Sequence, residues 1–173
     1  MSHSTIYSTR TSSPVGALTL AGTDDALVGL WIEGQKYFSH TLTKMPEQRD
    51  DLPVFQKTKV WLDRYFAGER PAPAELPLAP AGGEFRRMVW KLLLEIPYGQ
   101  TVTYGALARK VAALTKREHM SAQAVGGAVG HNPISIIIPC HRVIGADGSL
   151  TGYAGGIELK RRLLAHEGIR SEK

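Results

Sequence analysis

Short apolar, β-branched runs come first along this chain, and helix-period faces follow. Ile6–Thr11, Ala17–Ala21 and Ala26–Ile32 predict strands, separated by the turn-forming stretches Ser12-Ser13-Pro14-Val15-Gly16 and Gly22-Thr23-Asp24-Asp25. Val54, Trp61, Leu62, Tyr65 and Phe66 fall near one face and predict a helix over about Val54–Phe66, ended by Gly68. From Arg70 to Gly83 four prolines and two glycines exclude a continuous helix, so this span reads as an extended linker. The helical period returns in Glu84–Ile96, through Phe85, Val89, Leu92, Leu93 and Ile96, and Pro97-Tyr98-Gly99 breaks it. Thr103 is placed to cap a helix over Tyr104–Leu114, and Ser121 to cap a second over Ala122–Gly130. Two short helices so connected predict a helix-turn-helix-like unit. The β-branched run leading into Pro139 predicts a short buried strand. A last helix over Glu158–His166 is expected to expose Lys160, Arg161 and Arg162, to bury Leu159, Leu163 and Leu164, and to be capped by Gly168.

These elements divide the chain into a mixed α/β half, residues 1–83 with the linker at 70–83, and a mostly helical half, residues 84–173. The 173 residues suffice for a real core. Residues 1–83 hold 8 Lys/Arg against 9 Asp/Glu, a charge of −1; residues 84–173 hold 13 against 7, a charge of +6. The basic half therefore suits a polyanion, whereas the first half, where His3 and His40 read as surface residues, suits a scaffold. No apolar run approaches membrane-spanning length, and the start has no secretory pattern. One unpaired cysteine fits a reducing compartment, with the cytoplasm as the expected location.

That cysteine, Cys140, lies in Pro139-Cys140-His141-Arg142-Val143. Alone it makes no intramolecular disulfide and holds no structural zinc, so no metal is expected. It is either a buried, inert thiol or a nucleophile, and the neighbours His141 and Arg142 favour the second by lowering a thiol pKa. Adjacent strand residues face opposite ways, so His141 serves Cys140 only if the chain turns after Pro139 or a water bridges them. A base needs an orienting partner, for which Glu167 is one candidate. No Gly-x-Ser-x-Gly elbow or papain-type context accompanies the cysteine. The helix Ala122–Gly130 is nearly all small residues, and each interior glycine costs about 0.8–1.0 kcal/mol relative to alanine. Either it packs closely on another helix, or it lets a DNA backbone approach with little base reading. Gly152-Tyr153-Ala154-Gly155-Gly156 lacks a Walker A ending and suits a flexible wall against a flat base.

Pro139-Cys140-His141-Arg142-Val143, preceded by Asn132-Pro133 and followed by Gly152-Tyr153-Ala154-Gly155-Gly156, resembles the O6-alkylguanine-DNA alkyltransferases. The likeness runs from about Phe85 to Gly168, taking in Pro97-Tyr98-Gly99, Thr103-Tyr104, Ala124-Val125-Gly126-Gly127-Ala128 and Leu164-Ala165-His166-Glu167-Gly168. It is weaker in the first half, where Tyr65-Phe66-Ala67-Gly68 carries it best. It implies a small ribonuclease-H-like α/β N-terminal domain and a mostly helical, winged-helix-like C-terminal domain with a helix-turn-helix. It implies DNA repair by direct, single-turnover transfer of an alkyl group from O6 of guanine to Cys140. His141 would take the thiol proton through a water, Glu167 would orient the imidazole, and Asn132 would fix the turn before the cysteine.

The base pocket would be lined by Tyr104, Val143, Tyr153, Ala154 and Gly155. Tyr104, Gln123, Ala124, Gly126, Gly127, Gly130 and Arg142 would meet DNA. The nucleotide must be flipped, since a thiol cannot reach O6 inside the stack. The implied partner is double-stranded DNA carrying alkylated bases, with no membrane and no cofactor, and a monomer is expected. Gln123 departs from the family, which usually places an arginine there to fill the gap left by the flipped base. Relatives that only sense alkylated DNA lack the cysteine, so Cys140 counts against a non-catalytic sensor.

Overall fold

The computed structural model describes residues 4–171, so His3 lies outside the described residues. The chain forms two compact units: the segment up to Ala81 together with Pro133–Ser135, and Gly82–Asn132 together with everything from Ile136 on.

In the first unit the three expected strands appear as β1 (Tyr7–Thr11), β2 (Leu18–Gly22) and β3 (Leu27–Ile32), paired antiparallel in sequence. A short strand that the sequence pattern did not announce, β4 (Glu47–Gln48), runs parallel to β1 and completes the order β3-β2-β1-β4. Leu18, Leu20, Leu27, Leu30 and Trp31 are closed to solvent, each stabilising the fold by roughly 1.5–3 kcal/mol. Helix α1 (Pro53–Phe66) buries Val54, Phe55, Trp61, Leu62 and Tyr65 and packs on β2. Its Pro53 sits in the first turn, where the missing N–H is not needed.

The span expected to be an extended linker is held down at several points. The Trp61 indole donates to the Ala72 carbonyl at 2.9 Å, and Pro73–Glu75 form a 3-10 turn. Leu27 and Leu78 then pair through hydrogen bonds of 2.8 Å from Leu27 N to Pro77 O and from Ala79 N to Leu27 O. Proline removes donors but leaves carbonyls, and the β3 edge uses them. On that same strand Leu30 pairs with Ile134 through Pro133 O and Ser135 N.

The second unit is built from α2 (Glu84–Leu93), β5 (Val102–Thr103), α3 (Tyr104–Leu114), α4 (Ala122–Gly130), β6 (Val143–Ile144) and α5 (Ile157–His166). Helices α2, α3 and α4 pack against one another. The buried Trp90 indole donates to the Ala128 carbonyl at 2.9 Å, tying α2 to α4. Both predicted caps form: Thr103 Oγ1 accepts from Ala106 N at 3.0 Å and Ser121 Oγ from Ala124 N at 3.2 Å. The first satisfies the N-terminus of α3, the second that of α4, so the helix-turn-helix expectation holds.

The expected strand before the cysteine does not form. Only Ile134 pairs as an isolated bridge; residues 135–137 turn, and Cys140–Arg142 make a 3-10 helix. Ile136 has φ +72°, a conformation that a β-branched side chain adopts only under strain, as happens where a functional turn is over-determined. The β-branched composition is met by burial of Ile136, Ile137 and Ile138 rather than by sheet pairing.

Candidate active site

The chain turns immediately after Pro139. Cys140 opens the 3-10 helix, whose Arg142 N donates to Pro139 O at 3.0 Å, and β6 follows directly. Strand β6 lies parallel to β5, with Val102 opposite Val143 and Thr103 opposite Ile144. Thr103 is the cap of α3, so this pairing brings Tyr104, the first residue of α3, beside the cysteine turn. Because the backbone is helical there, Cys140 and His141 escape the opposite-face geometry of a strand.

Glu167, just past the end of α5, is the hub. Its Oε2 accepts from His141 Nε2 at 2.5 Å and from Arg142 Nη2 at 3.2 Å; its Oε1 accepts from Arg142 Nε at 2.7 Å and from Gly99 N at 3.1 Å. Burial pushes this carboxyl up, but the hydrogen bonds and charges of His141 and Arg142 outweigh it and hold it well below the usual carboxylate range. Burial lowers the His141 pKa, and the Arg142 and Lys160 charges add to that, against the opposing pull of Glu167. The imidazole is therefore neutral. With Nε2–H donated to the carboxylate, Nδ1 carries the lone pair, and this buried atom has no hydrogen-bond partner among the described residues.

Asn132, following α4, donates through Nδ2 to Ile138 O at 2.8 Å and hydrogen-bonds the Cys140 side chain. Burial raises the thiol pKa; the Asn132 hydrogen bond and the Lys160 charge pull it back. Tyr104 donates to Thr151 O at 2.6 Å, and burial with the neighbouring Cys140 pushes its pKa to about 12, so its hydroxyl stays a donor. Tyr153 is buried, its Oη without a partner among the described residues, and burial raises it well above the usual phenol range. Ala154 and Gly155 are half-buried beside it, with a Cβ at Gly155 only 2.8 Å from the Tyr153 ring. Val143 is buried.

Gln123, Ala124 and Gly127 of α4 are exposed, and Gly126 and Gly130 half-buried. A Cβ would meet nothing nearer than 3.6 Å at Gly126 and 3.5 Å at Gly130, and nothing within 4 Å at Gly127. Close packing inside the protein therefore does not account for these glycines, which corrects that half of the sequence expectation.

Two further corrections concern cations. Arg142 was expected on DNA, but it is 7 % exposed and its guanidinium is engaged by Glu167, by Ile96 O at 2.6 Å and by the Tyr98 ring at 5.7 Å. An arginine so enclosed neutralises Glu167 and cannot meet a phosphate. Lys160 was expected on the surface, but it is 0 % exposed. It lies on the inward face of α5 with Leu163 and Leu164, a face that the run Lys160-Arg161-Arg162 disguises. Sequence reasoning also missed Ile96, Tyr98 and Gly99 as parts of the site. Pro97-Tyr98-Gly99 reads from the sequence as a helix break and as part of the resemblance, with no role assigned, yet Gly99, at φ +79°, is the residue that turns its N–H onto Glu167.

Comparisons with known proteins give the family of the chain. Residues 84–169 match the 6-O-methylguanine DNA methyltransferase DNA-binding domain and residues 6–80 the ribonuclease-like domain of the same family. The chain is 42 % identical over 164 residues, 95 % of its length and 87 % of the relative's, to a methylated-DNA–protein-cysteine methyltransferase of Haemophilus influenzae. It is 45 % identical over 159 residues to the Mycobacterium tuberculosis protein of that name, covering 92 % of this chain and 90 % of the relative. It is also similar to the M. tuberculosis OGT crystallised in complex with DNA, at a TM-score of 0.76 and 44 % identity over 93 % of this chain and 92 % of that one. By these matches the chain belongs to the 6-O-methylguanine DNA methyltransferase family.

Proposed function

We propose that this protein repairs DNA by moving an alkyl group from O6 of a flipped guanine onto Cys140, once per molecule. The observation that carries the reading is the lone pair left on His141 Nδ1 by the Nε2–Glu167 hydrogen bond, in the residue that follows the only cysteine. The thiol proton passes through a water to Nδ1. The thiolate forms the S–C bond on the alkyl carbon as the C–O6 bond breaks, and the electron pair stays with guanine. Tyr104, once it leaves Thr151 O, and the Ala154 N–H supply protic donors to the departing base. The Val143 carbonyl accepts from the exocyclic amine, and Tyr153 walls the ring. The alkyl thioether leaves nothing to regenerate the thiol, so the reaction is stoichiometric.

Residues 84–173 carry DNA binding and transfer, and residues 1–83 serve as scaffold. Helix α4 presents Gln123, Ala124, Gly126, Gly127 and Gly130 to the duplex, where its small side chains admit the backbone closely and read little sequence. The protein acts as a monomer on double-stranded DNA carrying alkylated bases, in the cytoplasm.

The test is incubation with O6-benzylguanine followed by intact-mass analysis. One benzyl group per molecule, located on Cys140 and absent from Cys140→Ala, is expected. Many turnovers per molecule, or tight binding of lesion DNA with no mass gain, would overturn the proposal.

A further inference from the structure

Helix α4, the element offered to the duplex, has no charged side chain. Binding to DNA without regard to sequence comes from cations that neutralise phosphates, so this surface has to take its cations from another element. Arg142 is buried against Glu167 and supplies none. Along the chain the exposed cations nearest to α4 are Lys116 and Arg117, in the connection from α3, with Arg109 and Lys110 on α3 before them. Glu118 is the sole acidic residue between Ile96 and Ala146. Among the described residues none of these four cationic side chains has a hydrogen bond, an ion pair or a ring contact. The connection itself covers residues 115–121, longer than the turn of about 3–4 residues that suffices to join the helices of such a unit.

The backbone singles out one of these cations. Lys116 has φ +55°. Its N–H donates to Ala113 O at 3.3 Å and the Arg117 N–H to Ala112 O at 2.9 Å, the paired hydrogen bonds of a Schellman cap on α3. Helices α1 and α5 end in the same pair of bonds, and there the left-handed position is held by Gly68 and Gly168. Glycine suits that position because it has no Cβ to crowd the backbone. On α3 alone of the three the chain accepts the strain and places an unpartnered ammonium at the helix end, just before the exposed residues Ser121 to Ala124 of the α4 N-terminus. Strain kept where a relaxed residue is available points to a function for the side chain.

We infer that Lys116 and Arg117 form a clamp on the DNA sugar-phosphate backbone beside the N-terminal end of α4, supplying the charge that α4 lacks. This rests on the reading of α4 as the helix that meets the duplex. The clamp reads neither sequence nor lesion, because phosphates are the same along damaged and undamaged DNA. It holds the protein on the duplex while the cysteine site engages the flipped base.

The experiment is fluorescence anisotropy of a short, labelled, undamaged DNA duplex, titrated with the full chain at salt concentrations from about 50 to 200 mM. The wild type is compared with Lys116→Gly, Arg117→Gln, the double variant and, as a control, Lys57→Gln at an exposed position on α1. Each single substitution in the turn should flatten the plot of log affinity against log salt by about 0.9, and the double variant by about 1.8, the signature of one and two lost phosphate contacts. Over that salt range a slope of 0.9 corresponds to about a 3.5-fold change in affinity. Lys57→Gln should keep the wild-type slope. Thermal unfolding separates clamp from scaffold: Lys116→Gly should melt no lower than the wild type, since glycine relaxes the left-handed position. A lower melting temperature shows that the lysine serves the fold and overturns the inference. So does an unchanged slope in either turn variant, or an equal change in Lys57→Gln. If the wild type shows no salt-dependent binding to the duplex, the reading of α4 fails as well; if it binds and the slopes stay fixed, only the clamp fails.

Discussion

Replacing Glu167 by glutamine keeps the outline of the side chain and removes its charge. In the native site that carboxylate receives hydrogen bonds from Arg142 Nε and Nη2, from His141 and from Gly99 N. An amide in its place turns one acceptor oxygen into a donor and leaves the Arg142 guanidinium buried without a counter-charge. Removing one partner of a buried ion pair costs about 3–5 kcal/mol. For a chain of this length each kcal/mol lowers the melting temperature by roughly 2–4 °C, so Glu167→Gln should melt about 6–20 °C below the wild type. The chemistry suffers separately. An amide N–H facing Nε2 favours the tautomer with the proton on Nδ1, which removes the lone pair that the proposed mechanism uses to accept the thiol proton. Loss of a positioned general base lowers rates by about a hundredfold to ten-thousandfold. The assays are thermal unfolding by circular dichroism and single-turnover transfer from O6-benzylguanine, which avoids any DNA-binding contribution. Adding Arg142→Met removes the orphaned cation, so the double variant should regain stability over Glu167→Gln while remaining slow. If the two substitutions simply add their losses, or if Glu167→Gln keeps the native rate, the account of this hub is wrong.

The same network sets an acid limit. The Glu167 carboxyl is held below its usual 4.5, so its stabilisation is full above that value and is lost as pH falls through the folded-state pKa. His141 is held below 6.5, so the unfolded chain takes up that proton first, and stability declines as pH falls below about 6.5. Wild-type melting temperature should therefore fall steadily from pH 7 to pH 3; a flat profile would refute the assignment. Cys140→Ala should abolish label transfer and leave the fold intact, which intact mass and circular dichroism check together. Gln123→Arg, at an exposed position where stability changes stay within about 0.5 kcal/mol, should tighten lesion-DNA binding or speed repair in duplex DNA while leaving the free-base rate nearly unchanged. Equal effects on both substrates would exclude that role for the position. Gly152→Ala places a Cβ 2.8 Å from Tyr104 Oη at a backbone φ of +77° and should destabilise the second unit by roughly 1–3 kcal/mol; an unchanged unfolding curve would contradict the packing described.

The sequence by itself determined what depends on neighbours a few residues apart. Apolar spacing placed the three strands and the helices, and Thr103 and Ser121 announced caps that form as expected, because each acts within its own first turn. The motif around Cys140 offered that thiol as a candidate nucleophile beside His141, and the resemblance added Glu167 as the candidate orienter. Tertiary structure alone decided how those partners meet. Glu167 collects His141 from 26 positions away and Gly99 from 68, distances over which no periodicity carries information. It also decided that the β-branched run before Pro139 would turn rather than pair, since the backbone there finds its partners in a 3-10 turn and one bridge to Leu30. Arg142 and Lys160 were misplaced for a related reason. Local pattern assigns a charged side chain to the surface, and only the folded chain shows the carboxylate and carbonyls that make its burial tolerable.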